Sequence, residues 1–371
     1  MLKNLHCYQS EMVNESRIFK VAKTVSKSFD EILLAGIGEK NLPLEFNLSD
    51  KIKIIRSNHF NLDSKIIRLF IYFLWSNYLI IKIKPKVLTI HSLELLPLLT
   101  IAKLMGIKVI YDAHELETEK NGMKGIRKKI SKIIERLYIK YCDEVVVVSE
   151  EIAVFYKELY SSQKKPTVIM NLPYKLKEKV IKNDIFKEAY NLKKNDLVFL
   201  YQGLLGKGRG IENIIEAFEN IADKSKVVVF MGYGTLEDDI KKAAAKNANI
   251  FFKNAVNPNV VLNYTSSADV GLSLIENTCL SYYFCLPNKL FEYSQAEIPT
   301  IVSSNIEMKK IVETYEIGYV LEKNSSNELL KTIEKITKDE ILAYHDNLIL
   351  FKNKYHWEMQ ENKIIELYIL T

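Results

Sequence analysis

The chain has four cysteines in 371 residues, Cys7, Cys142, Cys279 and Cys285. None forms a Cys-x-x-Cys pair, and none sits at metal-ligand spacing from the six histidines, which argues against a disulfide framework or a structural zinc site. They read as buried reduced thiols of a cytoplasmic protein. Glycine and proline are also sparse, at 13 and 8, and no low-complexity tract appears, so collagen-like and disordered classes are excluded. The opening MLKNLHCYQSEMVNES lacks the apolar core of a signal peptide. The greasiest run, LFIYFLWSNYLII (69–81), is broken by Ser76 and Asn77 and falls short of the ~20 residues of a bilayer span. A net charge of +6 is too small to mark a nucleic-acid binder.

What is present is a long alternation. Short Val/Ile-rich runs, among them KVLTI, KVIYD, EVVVVS, LVFLYQG, KVVVFMG and PTIVSS, are separated by segments of helical period. Continuous apolar strands between helices predict parallel sheets covered on both faces, hence an α/β doubly wound chain. The length predicts two domains. The polar, lysine-rich segment 171–196 interrupts the alternation and marks the boundary. Two tandem Rossmann-like domains are expected to face each other across a cleft.

Four of the thirteen glycines fall within eight residues, in YQGLLGKGRGIENIIEAF (201–218). A strand, a glycine turn and an amphipathic helix in that order form an anion-binding device: backbone N–H groups approach the ligand and the helix dipole favours negative charge. Lys207 and Arg209 add side-chain charge. The P-loop pattern fails because Gly208 follows Lys207, and the dinucleotide pattern fails because Ile211 stands where its last glycine belongs. In CLPNKLFEY (285–293), Pro287 opens a helix with Lys289 and Glu292 on one face. Two readings stay open there: a diphosphate-binding lysine with a ribose-binding glutamate, or a surface ion pair. VIYDAHELE (109–117) gathers Asp112, His114 and Glu115 at a strand end, where α/β sites form, and His91 opens HSLELLPL after another strand.

Taken in order, these segments resemble the GT-B glycosyltransferases, specifically the retaining, nucleotide-sugar-dependent family 4 group. YQGLLGKGRGIENIIEAF, MGYGTLEDDI, SSADVGLSL, LPNKLFEYSQAEIPTIVSS and YHWEMQENKIIELY carry the likeness, with weaker echoes in NESRIFKVAKTV, HSLELLPL, YDAHELE and VIMNLP. The resemblance implies an acceptor-binding domain over 1–175, joined by a returning C-terminal helix 355–371, and a nucleotide-sugar-binding domain over 176–354. It implies His114, Arg209 and Lys289 as catalytic groups, and Gly203, Lys207, Gly208, Leu286, Asn288 and Glu292 at the donor. The family's glutamate pair is incomplete: eight positions before Glu292 stands Phe284, so the candidate substitutes at the donor sugar are Glu276 and the backbone N–H groups near Leu286 and Asn288.

The implied activity is transfer of a hexosyl or N-acetylhexosaminyl group, with retention, to a saccharide or lipid-linked acceptor in bacterial surface polysaccharide or glycan synthesis. No metal or other cofactor is expected, because positive side chains and amide dipoles take over charge stabilisation. No nucleic-acid partner is expected either. Alternatives are a nucleotide-sugar 2-epimerase of the same architecture and a catalytically silent scaffold subunit. Basic helices over 65–84 and 124–140 suit the anionic inner leaflet, which predicts a cytoplasmic enzyme peripheral to the membrane. The competing reading buries both apolar faces in the first domain.

Overall fold

The computed structural model describes residues 2–58, 64–160, 164–176 and 178–369. The chain divides into two compact units, Met1–Met170 with Gln360–Thr371, and Asn171–Met359. Each is a Rossmann-like α/β layer structure, as the alternation predicts.

The first unit holds an eight-stranded sheet built from β1 (Lys3–Cys7), β2 (Glu31–Ile37), β3 (Glu45–Asn47), β4 (Ile52–Ser57), β5 (Val87–Ile90), β6 (Lys108–Asp112), β7 (Glu144–Val147) and β8 (Thr167–Val168). Its order is β3-β4-β2-β1-β5-β6-β7-β8, parallel throughout except β3, which runs antiparallel to β4. From β1 the chain winds one way through β2 and β4, then returns to lay β5 on the other side of β1. The switch of direction, where α/β sheets open a crevice at their C-terminal ends, therefore lies between β1 and β5. The chain re-enters this unit at Gln360, and the helix Glu361–Tyr368 packs on the helix Ser16–Val25 through Glu361, Lys27 and Thr24. Trp357, just before it, stays with the second unit and donates its backbone N–H to Pro173 O. Residues 370–371 of the expected terminal helix lie outside the described residues.

The second unit holds six parallel strands, β9 (Leu197–Leu204), β10 (Lys226–Tyr233), β11 (Ile250–Asn254), β12 (Val270–Ser273), β13 (Thr300–Ser303) and β14 (Gly318–Leu321), in the order β11-β10-β9-β12-β13-β14. Here the switch falls between β9 and β12. The two strands pair only at Phe199–Val270 and Leu200–Gly271 before they part. Phe199, Tyr201, Val228, Phe230, Leu272 and Ile301 from the strands pack on Ile211, Ile214 and Phe218 of the helix Ile211–Asn220, all fully buried. At roughly 1.5–3 kcal/mol for each large apolar side chain withdrawn from water, this face anchors the helix that follows the glycine turn.

Candidate active site

In the second unit, the glycine turn occupies the switch point. Gly203, Gly208 and Gly210 adopt φ of 113°, 79° and 72°, a region that L-side chains rarely enter. Gly210 is also closely covered: a Cβ there would lie 2.3 Å from Leu274 O, in the loop after β12. The turn is tied to that loop again by Glu276, whose backbone N–H donates to Gly208 O at 3.0 Å. Two separate demands, left-handed backbone and close approach, thus account for the glycine cluster.

Gly210 caps the helix Ile211–Asn220, and no side chain fills its N-terminal hydrogen-bonding positions. Serine side chains do so at the helices Glu150–Leu159 and Ser326–Lys335. Beside this end the Arg209 guanidinium stacks over Tyr282, 5.1 Å from the ring centroid, and its Nε is buried without a hydrogen-bond partner. A charged donor held out of water with an open valence is costly unless an acceptor arrives. Lys207 is exposed on the rim of the turn.

The helix Asn288–Gln295 supplies the other groups. Gly271 lets it approach β12, since a Cβ there would strike the Tyr293 ring at 2.4 Å. The Tyr293 hydroxyl then donates to Leu200 O (3.0 Å) and accepts from the backbone N–H of Gln202 (3.2 Å), closing the gap where β9 and β12 part. One residue earlier, Glu292 accepts a 2.6 Å bond from Gln202 Nε2, and Gln202 Oε1 accepts from Thr265. The glutamate is therefore fixed from behind.

Lys289 and Glu292 form no ion pair. The lysine lies over the Tyr201 ring, its Nζ 3.7 Å from the centroid, and burial with the nearby charge of Arg209 pushes its pKa down to about 7. The nearby Glu292 carboxylate offsets this only in part, so the lysine is short of negative charge. Leu286 is buried, Asn288 is exposed at the start of the helix, and Glu276 and Phe284 are half-buried.

The first unit carries a second polar cluster at its own switch point. His6 on β1, His91 after β5 and His114 after β6 stand on three adjacent strands and form a chain. His6 Nδ1 lies 2.8 Å from His91 Nε2, and His91 Nδ1 lies 3.0 Å from His114 Nε2. Asn4 Nδ2 stands 3.1 Å from His6 Nε2 at the far end. Asp112 Oδ2 is 3.4 Å from His91 Nδ1.

Burial alone would raise the Asp112 carboxyl, but Arg17 and the two histidines outweigh it and hold it well below the usual range. Arg17 Nε bonds both carboxylate oxygens, at 3.1 and 3.0 Å, and its Nη2 bonds Oδ1 at 2.6 Å. An ionised Asp112 only accepts, which places the His91 proton on Nδ1 and leaves Nε2 to accept from His6. His114 Nε2 also lies 3.7 Å from Asp112 Oδ2, so the carboxylate faces both rings. Burial drives His91 down to about 4 and, with the charge of His91, drives His6 well below its ordinary value, so both inner rings are neutral.

His91, Asp112 and His114 present ligand atoms within 4.8 Å of one another and are the residues that could hold a divalent cation. Arg17 already neutralises the carboxylate, so a divalent ion would add two uncompensated buried charges. Nearby, Glu117 is buried against Lys120 at 2.7 Å, and burial pushes its carboxyl up to about 8 against the pull of that lysine.

The structure thus gathers Gly203, Lys207, Gly208, Arg209, Glu276, Lys289 and Glu292 at the second unit's switch point, and places His114 with His91 in the first. Sequence reading missed His6, Asn4 and Arg17. Register reveals Asn4 and His6, because β1 pairs beside β5 and aligns His6 with Thr89, and Arg17 is found only through its bonds to Asp112 from the helix Ser16–Val25. Gln202 and Tyr293, which position Glu292, were passed over as strand and helix core.

The family described as "Glycosyl transferases group 1" matches residues 182–356. The chain is 24% identical over 269 residues to the capsular polysaccharide biosynthesis glycosyltransferase CapM of Staphylococcus aureus, covering 68% of this chain and 69% of CapM. Two further curated relatives are matched over 58% and 62% of their own length. Among solved structures, sucrose-phosphate synthase from Thermosynechococcus elongatus superposes with a TM-score of 0.79 at 14% identity over 99% of this chain and 98% of that one. The lipopolysaccharide glycosyltransferase WaaG gives 0.75 at 14% over 99% of both. Anabaena HepE in complex with UDP-glucose gives 0.71 at 10% over 99% of both. The second unit thus carries the match to the group 1 glycosyl transferases, and the chain as a whole shares the fold of these solved glycosyltransferases.

Proposed function

We propose that the second unit binds a nucleoside diphosphate sugar and that the chain transfers the sugar, with retention, to a saccharide or lipid-linked acceptor in the synthesis of a bacterial surface polysaccharide. The observation that carries this reading is the unpartnered, buried Nε of Arg209 beside an uncapped helix start, next to a lysine short of negative charge. A diphosphate satisfies all three at once. HepE, similar in fold, binds UDP-glucose, and CapM, similar in sequence, serves capsule synthesis; both support the reading.

In this scheme the bond from the anomeric carbon to the diphosphate breaks, and its electron pair leaves with the phosphate. The amides of the glycine turn, Arg209 and Lys289 stabilise the charge that develops there, an interaction stronger in the transition state than in the ground state. Glu292, held by Gln202, accepts hydrogen bonds from the ribose hydroxyls. Glu276, tied to Gly208, is the nearest acid before the position of the family's missing glutamate and contacts the donor sugar. His114, held against His91 and Asp112, contacts the transferred sugar. The acceptor hydroxyl attacks the face the leaving group vacates and gives its proton to the departing diphosphate oxygen, without a covalent enzyme intermediate and without a required metal.

A panel of nucleotide sugars offered with saccharide and lipid-linked acceptors, read by product mass, tests this. The expected result is one donor consumed, with a mass gain of one sugar on the acceptor. Interconversion of a nucleotide sugar without acceptor would replace transfer by 2-epimerisation, and no binding of any nucleoside diphosphate would leave a scaffold.

A further inference from the structure

The helix Gly125–Tyr138 is amphipathic the wrong way round. Its inward side is polar: Ser131 and Glu135 are buried, and Glu135 is 0% exposed. The carboxylate of Glu135 accepts hydrogen bonds from the hydroxyls of Tyr156 (2.6 Å), Tyr160 (2.7 Å) and Tyr111 (3.4 Å). The outward side is greasy. Ile126, Ile130, Ile133 and Leu137 recur at intervals of four, three and four, one stripe of a helix, and all are exposed, Ile126 by 76%. Tyr141 continues the stripe, also exposed.

A helix with a free choice buries its isoleucines and leaves its glutamate in water. Here a tyrosine–glutamate cluster clamps the helix on its polar side, so the isoleucine stripe stays outside.

The helix Lys65–Ile83 is apolar on both sides and leaves one of them outside. Tyr72, Ser76 and Ile80 pack inward, with the Tyr72 hydroxyl donating to Ala35 O at 2.7 Å. Ile66, Phe70, Leu74, Tyr78 and Ile81 form an exposed stripe, Ile66 by 80%. Its 18-residue apolar stretch Ile66–Ile83 is long enough by length and composition to cross a bilayer, yet these inward contacts lay it along the unit. Both helices pack against the same short segment, Leu93–Leu98. The competing reading, in which both helices bury their apolar faces, fails for the helix Gly125–Tyr138, which buries its polar side, and holds only in part for the helix Lys65–Ile83, which buries Tyr72, Leu79 and Ile80 and leaves its other apolar side outside.

We propose that these two stripes form a docking surface for an anionic lipid bilayer, into which the isoleucine, leucine and aromatic side chains insert at headgroup level. The charge around them selects this occupant. Residues 124–140 carry seven Lys/Arg against Glu135 alone, and that glutamate is buried. Lys128 and Lys132 pair with Glu119 at 2.6 and 2.7 Å, while Lys124, Lys129, Arg136 and Lys140 flank the stripe with exposed side chains. Lys82 and Lys84 flank the other. Apolar side chains rimmed by cations match the interface of an anionic leaflet. A second copy of the chain would set these cations against their own kind, which opposes self-association.

The surface belongs to the first unit and the groups assigned to the diphosphate belong to the second, so its test does not depend on the proposed transfer. The full chain is sedimented with vesicles of phosphatidylglycerol mixed into phosphatidylcholine, and with vesicles of phosphatidylcholine alone. Binding to the mixed vesicles, weakened by salt, is expected. Lys129→Gln with Arg136→Gln lowers the partition coefficient about thirtyfold, at about one kcal/mol for each charge near the surface. Ile126→Ser with Ile130→Ser and Ile133→Ser lowers it by more than about tenfold. All five residues are exposed, so the thermal midpoint and nucleoside diphosphate binding of both variants stay at wild type. Equal binding to both vesicle types, or triple-variant binding equal to wild type, overturns the proposal. So does a wild-type dimer in the analytical ultracentrifuge that the triple variant abolishes.

Discussion

Lys289 offers a quantitative handle on the donor site. Burial, with Arg209 close by, sets its pKa at about 7, so the free protein at pH 8 carries the ammonium in only about one molecule in ten. A diphosphate placed against Arg209 and Lys289 favours the charged form and restores the proton. Binding therefore takes up about half a proton at pH 7 and about nine-tenths at pH 8, and affinity falls toward tenfold per pH unit, about 1.4 kcal/mol, above pH 7. The terminal phosphate of a nucleoside diphosphate ionises near about 6, so a window from pH 7.5 to 8.5 isolates the lysine.

Titration calorimetry in buffers of different ionisation enthalpy measures the proton directly. In Lys289→Arg the guanidinium stays charged, and both the proton uptake and the pH dependence should vanish while binding persists. Wild-type binding that is flat across the window, with no proton taken up, would refute the placement of Lys289 at the diphosphate.

Two further predictions concern the frame around the sites. Gly210→Ala meets both a left-handed φ and Leu274 O, and should destabilise the second unit by roughly 2 kcal/mol or more in a denaturant titration. Gly206→Ala, where the nearest atom lies at 3.9 Å, should stay within about 0.5 kcal/mol. In the first unit, His91 stays neutral down to about 4 against an ordinary value of 6.5. Below pH 6.5 the unfolded chain binds a proton that the native chain refuses, so stability present at neutral pH is lost as pH falls. The loss between pH 7 and 4 approaches roughly 3 kcal/mol from this group, and His91→Phe should make the thermal midpoint's pH profile shallower. An unchanged profile would remove His91 from the buried chain.

The strands β2 and β4 to β13 were legible as apolar runs because parallel strands covered on both faces need no alternation. The glycine turn was legible because its two demands, left-handed backbone and close packing, admit little else. β1 was not. Its five residues, Lys-Asn-Leu-His-Cys, look like a polar tail, yet the strand is central and its Asn4 and His6 are fully buried. Their burial depends on His91 and on each other, partners that sheet order supplies and sequence distance hides.

The helix faces failed for another reason. Periodicity reveals a stripe without saying which side meets the core. Ser131 and Glu135, four apart on the opposite face of 125–138, were the available signal, and they became decisive only once Tyr111, Tyr156 and Tyr160 closed around the carboxylate. Lys289 and Glu292, equally suited to a surface ion pair by spacing, are separated by what each touches, the Tyr201 ring and the Gln202 amide.

The account rests on a diphosphate seated at the start of the helix Ile211–Asn220, against the buried Nε of Arg209. Calorimetric binding of UDP, GDP and ADP to the wild type and to Arg209→Ala measures that contact. One nucleotide should bind the wild type and lose about 1.5–3 kcal/mol in the variant, the worth of a charge-assisted hydrogen bond, with the thermal midpoint of the free protein unchanged or raised. Equal affinity in both proteins would contradict it.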